Sequence, residues 1–412
     1  MVIRHKLERV ILAITILVVF VLVASVIARV LNSDQGPLEP VPTKEPTATI
    51  GPMIEATPAT PIATFDPEPA PAEGSLQHLL TYAPDRLADN SLPLSEIAQY
   101  ADVQRWLESQ GIVLPTDPSD PAWDTWLEAL GQLALPEVLA TRGADDVWQE
   151  TYGFSLLDVH QVLAVGSAPD YVMIIRGSFD ADLLHSTWAE NGYQAVRVNG
   201  VTYWSLNPGG NVDLSAPASR PALGNLNNLV LLEDGTLIAT ARSSRLEQTL
   251  ATIAGQQPSL AENSAIEGLL SSGIDPEQIV TGVLLKGTVL EAAAATPVAT
   301  PTAALPEASM LLSGLSLTPA GDPVYVIVAA YGSAADATQA YNRAARELTN
   351  GTSSVTHQPY ADRLHIGSMR IVASEHGESL LVIHASPLHG WGDWLTITEQ
   401  RDFAFLMWPR EP

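Results

Sequence analysis

Cysteine is absent from the 412-residue sequence. Its absence excludes disulfide bonds, thiolate zinc sites, iron–sulfur clusters and a cysteine nucleophile. Positive charge is also scarce, with 20 Lys and Arg against 46 Asp and Glu and a formal net charge of −26. Because phosphate backbones and anionic lipid headgroups are bound through Lys and Arg, this balance argues against nucleic acid and against docking on anionic lipid.

One long apolar run lies close to the N-terminus. The nineteen residues 10–28 carry no charge, and about 20 helical residues cross a hydrocarbon core of about 30 Å. The run predicts an uncleaved transmembrane anchor over residues 10–31. A cleaved signal peptide is the alternative, because Val26-Ile27-Ala28 is similar to a cleavage site, but the apolar core of a signal peptide usually has about 7–15 residues.

The flanking charges predict the orientation of this anchor. Arg4, Lys6 and Arg9 precede it, and basic residues remain on the cytoplasmic side. Residues 1–9 are therefore expected to form a cytoplasmic tail, and the chain beyond the anchor is expected to be extracytoplasmic. Without residues 1–29, which hold four basic residues and one acidic residue, the chain has 16 basic and 45 acidic residues and a net charge of −29. A charge of this size favours solubility.

Two stretches of low complexity divide the remaining sequence. Residues 32–75 are predicted to be a disordered Pro/Thr-rich linker, because ten prolines in residues 36–74 hold their neighbours extended. At about 3.1 Å per residue in polyproline II, such a linker spans tens of Å. Residues 291–308 are rich in Ala, Pro and Thr, and they predict a second linker or an exposed loop.

Residues 76–150 are predicted to form a helical subdomain. Leucines and tryptophans recur there at helical spacing, and prolines interrupt the stretch. Asp120 is expected to cap a helix that has Pro121 at its first position. Four tryptophans could line a ligand cleft, but a stripe at this spacing more often belongs to a core. These tryptophans are Trp106, Trp123, Trp126 and Trp148.

The remaining sequence predicts an α+β fold with antiparallel sheets and helices on one face. In residues 151–290, a buried strand over Tyr171–Ile175 precedes a helix that Asp180 caps. Asn199-Gly200 and Asp234-Gly235 each predict a hairpin turn, because these residues tolerate positive φ. The apolar face of the helix is expected to consist of Leu183, Leu184, Thr187 and Trp188. Further helices are expected over Ser244–Ile253 and Ser264–Leu270.

Residues 309–412 repeat this order of elements. A buried strand over Tyr325–Ala329 precedes a helix that begins at Ser333 with a capping-box pattern. A hairpin through His376-Gly377 then repeats the pattern of the hairpin at Asp234-Gly235. The two stretches are therefore predicted to be related β-α-β-β-type units that arose by duplication.

Five short motifs lie within residues 153–275. They are Gly153-Phe154, Asp158-Val159, Arg176–Asp180, Gly192-Tyr193 and Gly200–Tyr203. Together these motifs resemble a group of uncharacterised bacterial proteins that are membrane-anchored or exported. The group has no assigned activity, so the resemblance implies a fold and an extracytoplasmic location but no site residues.

Sequence motifs of phosphate-binding loops, zinc proteases, calcium loops and serine-hydrolase elbows do not occur. We therefore assign no catalytic, cofactor-binding or metal-ligating residue and expect no cofactor. Five of the nine histidines fall in the last sixty residues, and three of them approach one another if the last hairpin forms. Imidazole is a common metal ligand, but scattered surface histidines are the favoured interpretation, because no pair has the spacing of metal ligands. The five are His357, His365, His376, His384 and His389.

The C-terminal end is rich in aromatic residues. An exposed aromatic patch there could bind a partner or a sugar ring. The alternation from Phe403 to Met407 is more typical of a strand that faces a core, and this is the favoured interpretation. The aromatic residues are Trp391, Trp394, Phe403, Phe405 and Trp408.

These features together predict a single-pass, membrane-anchored extracytoplasmic protein with a non-catalytic role in binding, sensing or envelope assembly. Its expected partner is an envelope protein or a glycan. An extracytoplasmic hydrolase with active-site residues scattered in the sequence is the alternative, and a structural spacer is a third hypothesis. A pocket that holds a histidine beside a carboxylate or hydroxyl would favour the hydrolase, and an exposed patch at Trp391 and Trp394 would favour binding.

Overall fold

The structure is a computed structural model. It describes residues 74–85, 96–167, 170–198, 200–207, 216–271, 274–286, 308–353 and 355–406. All of these residues belong to one compact unit, Glu68–Pro412. None of the helices in these ranges is both long and apolar enough to cross a membrane. The predicted cytoplasmic tail, the anchor and most of the Pro/Thr-rich linker lie outside the described residues, as does almost all of the second linker, 291–308.

In the described ranges, twelve strands form one antiparallel sheet, and the α+β prediction is confirmed at this level. The strands are β1 (Glu96–Asp102), β2 (Val159–Ser167), β3 (Asp170–Gly177), β4 (Gln194–Val198), β5 (Val201–Ser205), β6 (Asn228–Leu231), β7 (Thr236–Thr240), β8 (Ile279–Lys286), β9 (Met310–Leu317), β10 (Pro323–Tyr331), β11 (Leu364–Ala373) and β12 (Ser379–Pro387). Their order across the sheet is β11-β12-β10-β9-β8-β1-β2-β3-β7-β6-β5-β4.

Ten α-helices accompany these strands in the described ranges. They are α1 (Leu76–Leu80), α2 (Val103–Ser109), α3 (Trp123–Leu130), α4 (Glu137–Arg142), α5 (Asp146–Tyr152), α6 (Ala181–Glu190), α7 (Ser243–Ile253), α8 (Ser264–Leu270), α9 (Ala334–Asn350) and α10 (Gly392–Glu399). Several begin at side-chain caps, because the first N–H groups of a helix have no partner within it. The Asp180 carboxylate, for example, accepts from the N–H groups of Asp182 and Leu183.

The sheet consists of two halves with the same connectivity, which meet at the antiparallel pair of β1 and β8. One half has the order β1-β2-β3-β7-β6, and the other has the order β8-β9-β10-β12-β11. A helix follows the third strand of each half, α6 after β3 and α9 after β10. The first half carries one additional hairpin, β4–β5, beyond β6.

The central strands are covered on both faces of the sheet, as the continuous burial along β8 and β9 shows. Successive residues of a strand point to opposite faces. On β3, Ile175 belongs to the cluster that contains the buried residues of α2 to α6, α9 and α10. Its neighbour Ile174 belongs to the second cluster, with α1, α7 and α8. The prediction of helices on one face of the sheet is therefore wrong. The apolar runs in the central strands agree with burial on both sides.

The central strand β1 is absent from the sequence-based prediction. Its sequence Glu96–Asp102 lies within the stretch 76–150 that was expected to be helical, and it pairs with both β2 and β8. Alternation of Ala98 and Tyr100 on one face with Ala101 on the other is too short a pattern to outweigh the helical signal around it. Pairing with the distant strands β2 and β8 makes this segment a strand.

The hairpins and helix starts are largely as predicted. The turn at Asp234-Gly235 joins β6 to β7, and His376-Gly377 lies between β11 and β12. The Ser333 hydroxyl accepts from the N–H of Asp336 and caps α9. These positions were predictable because a short local pattern determines each of them.

Three local predictions are wrong. Leu183 was assigned to the apolar face of α6, but its side chain is 50% exposed, since α6 buries only Leu184 and Trp188. Helix α3 begins at Trp123 and not at Pro121, because Asp120 accepts from the N–H of Ala122 within the preceding turn. The stretch from Phe403 to Leu406 is a loop and turn, not a strand.

Candidate functional site

The aromatic residues proposed for a binding patch are mostly in the core. Trp394, Phe403 and Phe405 each have 0% exposure, and Trp391 is half-buried. The Trp394 indole N–H donates to the carbonyl of Gln132 over 2.9 Å. A patch built on Trp394 is therefore wrong, and Trp408 lies outside the described residues. Three of the four tryptophans in residues 76–150 are core residues, as the favoured interpretation predicts. Trp106, Trp126 and Trp148 each have 0% exposure.

The C-terminal histidines have separate surroundings. Nε2 of His376 lies 3.2 Å from Oε2 of Glu267 on α8. Nδ1 of His384 lies 3.4 Å from the Ser368 hydroxyl, and burial, with Arg370 nearby, lowers the pKa of His384. In the part of the chain that the structure describes, no group of three or more His, Asp or Glu residues is arranged to hold a metal ion.

A buried ionic cluster fixes the last described residues. The Asp402 carboxylate has 0% exposure and accepts from Arg363 over 3.1 Å, from the Tyr360 hydroxyl over 2.7 Å and from the Ser353 hydroxyl over 2.7 Å. Burial, with Asp402 alongside, raises the pKa of Tyr360. Since a buried charge needs a partner, this cluster holds the turn at 402–406 onto the loop before β11.

The sequence contains no local signal for this cluster. Its partners lie 39, 42 and 49 residues from Asp402 along the chain, so no local spacing relates them. We assign it a structural role, because both oxygens of the buried carboxylate accept hydrogen bonds from groups of the protein itself.

The segment that follows the predicted linker is built into the fold. In Gly74–Asp85, the side chains of Leu76, Leu79 and Leu80 are 0–1% exposed and belong to the cluster on the face of α7 and α8. The Tyr100 hydroxyl donates to the carbonyl of Gly74 over 3.2 Å. We call Gly74–Asp85 the strap.

The other end of the strap is also fixed. The Tyr82 hydroxyl donates to Asp234 over 2.6 Å, and the N–H of Leu260 donates to the carbonyl of Ala83 over 2.8 Å. The amide of Asn263 donates to the Asp85 carboxylate over 2.6 Å. Burial, with the hydrogen bond to Asp234, raises the pKa of Tyr82 to about 12. The predicted linker boundary at residue 75 is thus followed at once by packed structure.

One pair of side chains has the composition of a nucleophile and a base. The Ser178 hydroxyl lies 3.1 Å from Nε2 of His160. Ser178 is exposed at the turn between β3 and α6, and His160 is half-buried on β2. A second serine–histidine pair, Ser368 and His384, is longer at 3.4 Å and lies within the β11–β12 hairpin.

The sequence contained a signal for the first pair. Ser178 belongs to the motif Arg176–Asp180, which contributed to the resemblance but suggested no chemistry, because it differs from the G-x-S-x-G pattern of a nucleophile elbow. The sequence predicts that Ser178 lies between the end of a strand and a helix cap. It does not predict that His160 lies close to Ser178, because that contact depends on strand pairing.

Comparison with known proteins adds no relative. No family model, no curated protein and no solved structure matches the chain.

Proposed function

We propose that this protein is a single-pass, membrane-anchored extracytoplasmic protein whose folded region binds, senses or assembles with a component of the cell envelope. The apolar run 10–28 acts as the anchor, and the linker 32–75 carries the folded region away from the bilayer. The expected partner is an envelope protein or a glycan.

The observation that carries this proposal is the strap. A linker attached to a loosely held end would leave the orientation of the folded region undefined. Here the described chain begins at Gly74 and is packed at once through Leu76, Leu79 and Leu80, which form the entry point from the linker. Burial of one such side chain contributes about 1.5–3 kcal/mol, so the three together hold the entry point firmly. A firm entry point supports a tethered ectodomain.

We also propose that the two halves of the sheet arose by duplication. Their shared strand order and the equivalent positions of α6 and α9 support this origin. The second half lacks a counterpart of the β4–β5 hairpin in the described residues. After β7 the chain continues into α7 and α8 on one face, whereas after β12 it continues into α10 on the other.

Membrane extraction tests the anchor. Full-length protein is produced in bacterial cells, and membranes are washed with alkaline carbonate, which removes peripheral proteins. We expect the wild type to stay in the membrane pellet. The double variant Val18→Arg/Leu22→Arg should leave it, because each central arginine costs about 2.5–3.5 kcal/mol on insertion. The matched control Thr47→Arg/Thr49→Arg places the same charges in the linker and should stay in the pellet. Wild-type protein in the wash would contradict the proposal.

Crosslinking in intact cells of the source organism tests the binding role. A membrane-impermeant crosslinker is added, and the full-length protein is recovered under denaturing conditions. We expect the same envelope component in repeated recoveries. Recovery of the uncrosslinked protein alone would contradict a binding role and would favour the spacer hypothesis.

A further inference from the structure

We propose that Ser178 and His160 form an acyl-ester hydrolysis site, with Ser178 as the nucleophile and His160 as the general base. This activity goes beyond the proposed binding role and does not depend on the membrane anchor. A nucleophile and its base must lie within hydrogen-bond reach, about 2.6–3.2 Å between heavy atoms. The observed distance of 3.1 Å satisfies this condition.

The backbone places His160 at this position through an irregularity of the sheet. The register between β2 and β3 shifts between Val159 and Gln161, so His160 is the extra residue of a β-bulge. A bulge redirects a side chain that regular pairing would point elsewhere, and bulges are frequent beside active sites. The irregularity turns the imidazole toward Ser178.

Gly177 allows the end of β3 to lie close to the start of β2. A Cβ on Gly177 would overlap the carbonyl oxygen of Asp158 and lie 2.8 Å from the ring of Phe179. The absence of that Cβ lets the end of β3 approach the start of β2, where the N–H of Ser178 donates to the Asp158 carbonyl over 2.9 Å. Only glycine fits here without a shift of the backbone.

The turn after Ser178 is also fixed in place. The ring of Phe179 packs edge-on against Phe154 with centroids 5.6 Å apart. Asp180 caps the ten-residue helix α6 through the N–H groups of Asp182 and Leu183. The nucleophile therefore lies on a strand–turn–helix connection whose two flanks are immobilised, as a preorganised site requires.

Ester hydrolysis at this site proceeds through an acyl-serine. The Ser178 oxygen forms a bond to the ester carbonyl carbon while its proton passes to Nε2 of His160, and the carbonyl π electrons move to oxygen. The backbone N–H of Phe179, the residue after the nucleophile, is the candidate donor to that oxyanion. Collapse breaks the ester C–O bond, and the leaving alkoxide takes the proton from His160. Water then gives a proton to the same imidazole and bonds to the acyl carbon. The acyl–Oγ bond breaks, the Ser178 oxygen takes that proton back, and the acid is released.

Among the described residues no carboxylate is hydrogen-bonded to His160, so the site is a dyad rather than a triad. The carboxylate nearest in sequence, Asp158, accepts from the N–H of Ser155 over 2.7 Å and from its hydroxyl over 3.1 Å. Loss of the orienting carboxylate lowers the rate of a serine protease about 10⁴-fold, so turnover here is expected to be slow. Small acyl esters are the expected substrates, because Ser178 is exposed on the surface and a small ester reaches it without rearrangement.

Covalent labelling is the appropriate test, because it detects a slow nucleophile. Full-length protein in detergent is incubated with a fluorophosphonate probe, and the labelled residue is identified by peptide mass spectrometry. We expect labelling at Ser178, its loss in Ser178→Ala, and a labelling rate lower by about 10²–10⁴-fold in His160→Gln, the usual contribution of a general base. Thermal unfolding of each variant shows that the fold is intact.

The second serine–histidine pair provides the matched control. Ser368→Ala and His384→Gln remove a longer contact that lies in a hairpin and not before a helix, so they should leave labelling unchanged. Labelling at Ser178 that persists in His160→Gln would refute the role of the base. Labelling of folded protein no faster than that of urea-unfolded protein would refute the site.

Discussion

The substitution Asp402→Asn tests the buried cluster that holds the C-terminal turn. Asparagine keeps the shape of the side chain but loses its charge, so the guanidinium of Arg363, itself 3% exposed, stays buried without a counter-ion. Removal of one partner from a buried ion pair costs about 3–5 kcal/mol. The hydroxyl groups of Tyr360 and Ser353 also lose a charged acceptor, which places the effect toward the upper end.

Urea unfolding of the compact unit Glu68–Pro412, followed by tryptophan fluorescence, measures this effect. The matched control is Asp145→Asn, which breaks a 3.3 Å ion pair with Arg142 at the surface. The side chain of Arg142 is 61% exposed and that of Asp145 is 48% exposed. Exposed pairs contribute about 0–1 kcal/mol, so this variant should unfold close to wild type.

A double variant separates charge burial from lost packing. Arg363→Met removes the second charge, and we expect Arg363→Met/Asp402→Asn to be less destabilised than the sum of the two single variants. The predicted cost of the unpaired buried charge is refuted if Asp402→Asn costs no more than Asp145→Asn. Strict additivity of the double variant would also contradict it.

Three further substitutions test the strap and the turn before α6. Leu79→Ala should cost about 2–5 kcal/mol in urea unfolding, because the side chain is 0% exposed, whereas Leu388→Ala, 51% exposed, should cost little. Gly177→Ala should cost about 1–3 kcal/mol through overlap with Asp158, whereas Gly332→Ala has open space and serves as its control. The raised pKa of Tyr82, about 12, means that its contribution to stability is complete below pH 10 and is lost as the pH rises through 12. Tyr82→Phe should show a smaller loss of stability over that interval, and equal slopes for the two proteins would contradict this.

The predictable parts of the fold were those that a few neighbouring residues determine. Asp234-Gly235 marks a hairpin by its tolerance of positive φ, and Ser333 marks a helix start by its hydroxyl. Strand β1 was missed because its pairing partners, β2 and β8, are distant in sequence.

The same limit applies to the candidate site. The sequence placed Ser178 between a strand and a helix, but no spacing relates it to His160, eighteen residues earlier. That contact exists because β2 and β3 are paired and because the bulge shifts the register. The charge cluster at Asp402 depends on tertiary packing in the same way, since its partners come from the loop before β11.

Protease treatment of intact cells tests whether the folded region is extracytoplasmic. Full-length protein with an epitope after Pro412 is produced in cells whose cell envelope admits a protease, and the cytoplasmic membrane is kept closed. We expect the protease to cut the linker 32–75 and to release a tagged fragment that begins near Gly74, where the strap protects the chain. A full-length band that survives in closed cells and disappears only after lysis would contradict the extracytoplasmic location.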